Sequence, residues 1–276
     1  MSNSAVDPEL FRQFERDAHD RIADSYHAFF VPITRHAADP LLDVAAVRPG
    51  TRILDVATGS GIVAARAVER GAVATGVDLS PRMVALAAHL HPDCDFRAAD
   101  AETLPFDSAS FDAVVCCFGI GHFPRPEAAV AECVRMLAPL GKIAFSWWDA
   151  PVRNRLHGVI LEAVQESDAR PPAELPVGPP MFRYSDDREF EGLLRSGGLQ
   201  QVAISRFSFN YRLPSADALW DGAMSSTART SVLVREQLPA VQLRIRSAFD
   251  RLVGVYAVPG GIDLPVAFNI ASGQKF

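Results

Sequence analysis

The run Thr51-Arg52-Ile53-Leu54-Asp55-Val56-Ala57-Thr58-Gly59-Ser60-Gly61 constrains this chain more than any other stretch. Ile53, Leu54 and Val56 form a short apolar run of the kind buried in a parallel sheet, Asp55 interrupts it near its end, and Gly59 and Gly61 then open a helical pattern. A strand, a tight turn and a helix N-terminus therefore follow one another. Glycine has no Cβ and the first N–H groups of a helix lack partners within it, so a ligand can come up against the backbone there.

Two ligand classes use such a turn. Gly59-Ser60-Gly61-Ile62-Val63-Ala64 fits the dinucleotide pattern G-x-G-x-x-G/A, and Asp78 lies where an acid that binds a ribose belongs. Asp55 favours the other class: a carboxylate just before the turn repels a pyrophosphate but suits a ligand bearing an ammonium and a sulfonium. S-adenosylmethionine is such a ligand.

Four blocks then stand in order: Leu54 to Gly61, Gly76-Val77-Asp78-Leu79-Ser80-Pro81-Arg82-Met83, Ala99-Asp100-Ala101-Glu102-Thr103-Leu104-Pro105-Phe106, and Phe111-Asp112-Ala113-Val114. Together they resemble the class I S-adenosylmethionine-dependent methyltransferases of the ubiquinone-biosynthesis-like, small-molecule type, over about residues 40 to 150. Two departures are visible: Ala57 stands at the family's usual first Gly, and Leu140-Gly141 replaces a common Gly-Gly before the fifth strand. The resemblance implies an α/β, Rossmann-like, doubly wound sheet of seven strands ordered 3-2-1-4-5-7-6, the last antiparallel. It also implies that Asp78 binds the ribose hydroxyls, as a carboxylate can accept from both. Asp100 would accept from the adenine amino group, beside the Ala101 N–H and with Glu102 nearby. Asp55, Ala57, Gly59, Gly61, Leu79 and Met83 complete the expected cofactor shell.

Along the chain, Asp7-Pro8 introduces a helix over 8–30, on which Leu10, Phe14, Ala18, Ile22, Tyr26 and Phe30 recur every four residues. A spacing of four outruns the period of 3.6, so the stripe winds and its two ends face different directions. The helix is either bent and packed on its own domain or a flap over the substrate, exchanged between subunits of a homo-oligomer. Helices over 34–46, 61–70, 126–137, 153–167 and 185–196 are expected, with strands at 73–77, 95–98, 111–118, 142–148 and 202–212. Helices over 215–255 form an insertion before a last strand at 265–271. The Pro-rich segment 170–180 cannot be helix or central strand and is expected to be a stiff lid. The expected division is an N-terminal helical cap over 1–47, a cofactor-binding core over 48–150, and substrate-side elements of the same domain over 151–276.

Cys117 and Phe118 end the fourth strand beside the first, at the topological switch point, and are expected beside the methionine part of the cofactor. Cys94, Cys116, Cys117 and Cys133 have no C-x-x-C spacing, so no metal site is expected, and Cys116 and Cys117 read as small buried hydrophobes. A net charge of −6 argues against a general nucleic-acid binder, and no segment reaches the roughly 18 apolar residues of a membrane span. Met1-Ser2-Asn3-Ser4 lacks the basic start of a leader, so a cytoplasmic location is expected. The fourth strand also lacks the Asn/Asp-Pro-Pro-Tyr/Phe ending of enzymes that methylate base amines.

Methyl transfer from a sulfonium needs alignment and exclusion of water, not a metal. His122, which matches the second residue of a His-His pair common in the family, is the first candidate base; Tyr26 and His157 follow. Trp147, Trp148, Phe182 and Tyr184 are expected at the substrate pocket, holding an apolar ligand or a carbocation. The expected activity is methylation of a small, largely apolar natural product of secondary metabolism, leaning to a prenyl or terpenoid carbon with cyclisation of the resulting cation. Base-assisted O- or N-methylation is the alternative, and an NAD-dependent oxidoreductase or a non-catalytic binder of S-adenosylmethionine are the alternatives of other classes.

Overall fold

Local chemistry sets most element boundaries. Asp7 accepts from the N–H groups of Glu9 and Leu10, and Pro8 occupies the first turn, so the first helix starts where a cap and a fixed φ coincide. Ser80 caps another helix by accepting from Met83 N at 3.1 Å. The computed structural model describes residues 6–173 and 175–276; the Met1–Ser4 run read for a leader lies outside them. In order come Pro8–Thr34 (α1), Ala38–Val44 (α2), Arg52–Val56 (β1), Ile62–Glu69 (α3), Val73–Asp78 (β2), Pro81–Leu90 (α4), Asp95–Ala98 (β3), Phe111–Cys117 (β4), Pro126–Met136 (α5) and Leu137–Trp148 (β5). Arg155–Glu166 (α6), Asp187–Ser196 (α7), Gln200–Leu213 (β6), Ala216–Ser226 (α8), Arg229–Arg235 (α9), Pro239–Gly254 (α10), Ala257–Val258 (β7) and Gly261–Gln274 (β8) follow.

The sheet runs β3-β2-β1-β4-β5-β8-β6, with β8 antiparallel to both β5 and β6. This is the expected Rossmann-like order once the two-residue β7, which pairs only with β8, is set apart. Residues 53–56 of β1 are all buried, as a strand covered on both faces requires. The aromatic face of β6 packs inward, with Phe207 stacked on Phe268 at 5.3 Å. At the amino end of the parallel strands Arg52 pairs with Asp112 at 2.7 Å, far from the ligand-binding edge.

Several boundaries differ from expectation: the last strand, expected at 265–271, runs Gly261–Gln274, and three others have a visible local cause. The Thr34 hydroxyl donates to the Phe30 carbonyl and keeps Thr34 in α1, so the helix expected over 34–46 shrinks to α2 after a single 3-10 turn at Arg35–Ala37. Helix α7 starts at Asp187 because the Asp186 carboxylate accepts from Arg188 N and Glu189 N as its cap. Strand β5 starts at Leu137, which pairs with Phe111, and Leu140 then takes a left-handed φ of 62° where a Gly would be at ease.

The buried line of α1 is Phe11, Glu15, Ala18, Ala23, Phe30 and Ile33, whereas Leu10 faces water. The helix packs against α4 around Asp20 and Asp24 and against α8 around Ser25 and Phe29. Ser80 Oγ donates to Asp20, Arg82 pairs with Asp24 at 2.8 Å, the Ser25 hydroxyl donates to the Ser225 carbonyl, and the Ser226 hydroxyl donates to the Ser25 carbonyl, which joins α1 to α8. Among the described residues no helix is long and apolar enough to cross a membrane.

Candidate active site

The carboxyl ends of β1, β2 and β4 open onto a cavity of about 760 Å³. Asp78, at the end of β2, is fixed by the backbone: Ser80 N donates to Oδ1 and Gly59 N to Oδ2, each at 2.9 Å. Burial raises its carboxyl above the usual range, against these two bonds. Gly59 has φ 55°, and a Cβ built there would meet nothing within 4 Å, so the turn leaves open space on the cavity side. Ala57, Leu79, Met83, Ala101, Cys117 and Phe118 share the wall. Burial pushes the Cys117 thiol up to about 12, so it stays protonated.

Asp55 and Gly61 do not reach this cavity. Asp55 is fully buried and accepts from Thr58 Oγ1 at 2.7 Å and Ala64 N at 3.2 Å, tying the turn to the start of α3; burial pushes its carboxyl up to about 7. Gly61 is needed for packing, because a Cβ at its φ of 84° would come within 2.7 Å of Phe96. The sequence argument from the charge of Asp55 thus lands on a residue that braces the loop from behind.

A second cavity, of about 670 Å³, adjoins the first and shares His19, Tyr26, Phe118 and His122 with it. Its walls include Phe30, Trp147, Trp148 and His157, closed by Pro179 and Met181 of the Pro-rich segment and by residues 226–230. Phe118 takes a left-handed φ of 57° at the end of β4, which lays its ring on Trp148 with centroids 4.0 Å apart. Trp147 Nε1 donates to the Met181 carbonyl at 2.5 Å and so ties the Pro-rich segment to β5. His157 lies against Phe30 and Trp148, and burial lowers its pKa to about 4.

Phe182 and Tyr184 line neither cavity. The 3-10 turn Arg183–Ser185 turns Tyr184 inward onto Phe190 at 5.1 Å, and Pro179 and Met181, a few residues earlier, take the place expected for these rings.

Where the cavities meet, α1 delivers Glu15 and His19 to His122. The Glu15 side chain is 2% exposed, and its Oε2 lies 3.0 Å from His122 Nδ1 and 3.5 Å from His19 Nδ1. Burial alone would raise Glu15, but His122, His19 and then Arg229 outweigh it and hold the carboxyl below its ordinary value. Its Oε1 has no protein partner. Tyr26 stands by, its hydroxyl raised by burial. Arg12, also on α1, reaches the far side of the first cavity and pairs with Asp100 at 2.6 Å and Glu102 at 2.8 Å. Sequence reading missed Arg12, Glu15, His19 and Arg229. For Glu15 a signal existed, since a carboxylate four residues after Phe11 and three before Ala18 sits on the apolar face of α1.

A family profile described as "Methyltransferase domain" matches residues 54–145. The ubiquinone/menaquinone biosynthesis C-methyltransferase UbiE of Rhizobium leguminosarum bv. trifolii is 32% identical over 179 residues, covering 58% of this chain and 69% of that protein. The chain belongs to the class I S-adenosylmethionine-dependent methyltransferases of the ubiquinone-biosynthesis-like type. This methyltransferase is also 36% identical over 156 residues to the ubiquinone biosynthesis O-methyltransferase of Paracidovorax citrulli, covering 52% of the chain and 63% of that protein. Its fold is like that of the phosphoethanolamine N-methyltransferase 2 of Haemonchus contortus, solved with phosphomonomethylethanolamine and S-adenosylhomocysteine: the TM-score is 0.57 at 18% identity, over 96% of this chain and 60% of that one.

The methyltransferase uses S-adenosylmethionine, and the residues of the first cavity fit it. The open Gly59 turn gives room for close approach, and the anchored Asp78 carboxylate borders that space. Two departures of this methyltransferase from its family now have structural correlates. Ala57 adopts a φ of 55°, the conformation Gly would take at no cost. Gly121 stands where the family commonly has the first His of its pair, and a Cβ there would collide with the Trp147 ring. Trp147 thus occupies the room that a side chain at 121 would need.

Proposed function

We propose that this methyltransferase transfers a methyl group to a small, largely apolar acceptor bearing an acidic hydroxyl, with His122 as the base. The observation that carries this reading is the buried Glu15–His122 pair at the junction of the two cavities. An ionised carboxylate only accepts hydrogen bonds, so Glu15 requires the proton of a neutral His122 to sit on Nδ1. Nε2 is then the basic nitrogen, and among the described residues no hydrogen bond engages it. Glu15 also stabilises the imidazolium formed when His122 takes a proton.

When bound, S-adenosylmethionine supplies an activated methyl group on a sulfonium. Asp78 would hold its ribose hydroxyls and Asp100, steadied by Arg12, its adenine amino group; Ala57, Gly59, Leu79, Met83 and Ala101 would line it, with Cys117 and Phe118 beside the methionine part. Trp147, Trp148 and Phe30 would hold the acceptor's apolar body, and Tyr26 and Phe118 exclude water where the cavities meet. In this reading residues 1–47 cap both cavities, 48–150 hold the cofactor and 151–276 complete the acceptor chamber, with the Pro-rich segment as its lid. The acceptor's place in secondary metabolism belongs to the same proposal.

The test measures S-adenosylhomocysteine release with a panel of phenols, prenylated aromatics first. His122→Ala is expected to lower turnover by about 10²–10⁴-fold, with S-adenosylhomocysteine affinity retained. Undiminished turnover in His122→Ala and Glu15→Gln alike would remove the base. The facing rings of Phe118 and Trp148 support a second reading, methylation of a prenyl carbon with the cation held over π faces; there an alkene acceptor keeps its rate in His122→Ala.

A further inference from the structure

Arg229 is the exception among the arginines of the two cavities. Arg12 and Arg16, on the cofactor side, each face a carboxylate, at 2.6 Å from Asp100 and 3.5 Å from Asp17. Arg229 lines the acceptor cavity half-buried, and among the described residues its one protein acceptor is the Pro176 carbonyl, 3.1 Å from Nη1. Its guanidinium lies over the Phe11 ring at 5.2 Å, and Gly178 packs so closely on both that a Cβ there would strike them. Among the described residues no carboxylate stands within ion-pair distance. Glu15 acts on Arg229 from farther off, with Oε2 engaged by His122 and Oε1 directed to no donor among these residues. The fork is therefore held in place while most of its N–H groups have no acceptor among the described residues.

The neighbouring hydroxyls sharpen the picture. Ser226 donates to the Ser25 carbonyl and Thr227 to the Ala223 carbonyl, so both are spent on the fold. Thr230 also lines the cavity, and no hydrogen bond ties its hydroxyl to the other described residues. The remaining walls are largely aromatic and cannot neutralise a cation. A charge withdrawn from water is costly unless paired, and a guanidinium fork pairs best with a planar or tetrahedral oxyanion.

We infer that the acceptor carries an oxyanion, a carboxylate or a phosphate, that Arg229 and Thr230 hold while the apolar body lies among Trp147, Trp148 and Phe30. This rests on the second cavity being the acceptor chamber. It narrows the acceptor class from any apolar phenol to an amphipathic acid, and it makes Arg229 a residue that sets specificity.

The test is calorimetry on the full chain with 4-hydroxycinnamate and 4-hydroxycinnamamide, which differ only in carboxylate against amide, and with 4-hydroxyphenyl phosphate as the phosphate probe. S-adenosylhomocysteine binding is measured first and separately, so a failure of the cofactor reading shows before any acid is added; the acid-to-amide ratio is read in either case. In the wild type an acid is expected to bind at least tenfold more tightly than the amide, and the better acid identifies the oxyanion. Arg229→Gln is expected to bring the ratio near one with S-adenosylhomocysteine affinity unchanged, and Thr230→Val to lower it a few-fold. Equal binding of acids and amide by the wild type, no binding of any probe, or a ratio that survives both substitutions overturns the proposal.

Discussion

The two cavities are made of different materials. The cofactor cavity is built at the ends of neighbouring strands, from a stretch of chain between Val56 and Pro124 plus α1, and its decisive groups are backbone amides and carboxylates pinned by them. The second cavity, the acceptor chamber of the proposal, is assembled from segments far apart in sequence: α1, the end of β4, the end of β5, α6, the Pro-rich segment and residues 226–230. Its decisive groups are side chains that meet only after folding. A cavity made by backbone turns tolerates little variation, whereas one made by distant side chains can be refitted residue by residue.

If that contrast is real, damage to one cavity leaves the other standing. The largest effect is expected from Asp78→Ala. It removes a carboxylate held by two amides at the centre of the cofactor cavity and should weaken S-adenosylhomocysteine binding by about 100-fold or more, a loss above roughly 2.7 kcal/mol, while acceptor probes still quench tryptophan fluorescence. Loss of both signals would show that the cavities are one unit.

Next comes acid sensitivity of the acceptor side. His157 has a folded pKa of about 4 against an ordinary value near 6.5, so between these values the unfolded chain binds a proton that the folded chain refuses. Stability is therefore full above pH 6.5 and falls as the pH drops towards 4, by on the order of 3 kcal/mol. His157→Phe should remove this share of the loss, seen as a smaller difference between urea midpoints at pH 7.5 and 4.5. An identical difference in both proteins would mean that His157 is protonated without cost.

A smaller effect probes backbone strain at the two ends of the parallel strands, Ala57 at the cofactor cavity and Leu140 at the opposite edge. Ala57→Gly and Leu140→Gly each relieve a left-handed non-glycine residue and should raise stability by up to about 1 kcal/mol, read from denaturant midpoints at unchanged slope. Destabilisation by either would show that methyl or isobutyl packing outweighs backbone strain there. Smallest of all, a chelator such as EDTA should leave turnover unchanged. The donor atoms of Glu15, His19 and His122 lie within 4.8 Å of one another; a rate that collapses with chelator and returns with a divalent ion would reassign them as ion ligands.

What could be read in advance follows the same division. The strand order, the Gly turn, Asp78 and the Asp100 loop depend on local patterns of a few residues and were legible. The phase of the α1 stripe was not: Leu10 is in water and Phe11 is buried beside Gly178 and Arg229, which belong to segments far along the chain. Asp55 was read for its charge, yet its geometry turns the carboxylate into the loop. Tyr184 was expected at the pocket, but a 3-10 turn aims it at Phe190. Arg229 could not be found from sequence at all, since its distinction is that no carboxylate among the described residues pairs with it, and only the folded chain shows which groups are near.

Helix α1 carries Arg12 at one cavity, Phe30 at the other, and Glu15, His19 and Tyr26 at their meeting point. A displacement of this one rod would open both cavities together and separate Glu15 from His122 in the same stroke. Under the proposed role of His122, access and competence would then be mechanically opposed, because a molecule opened at α1 would lack the carboxylate that orients its base.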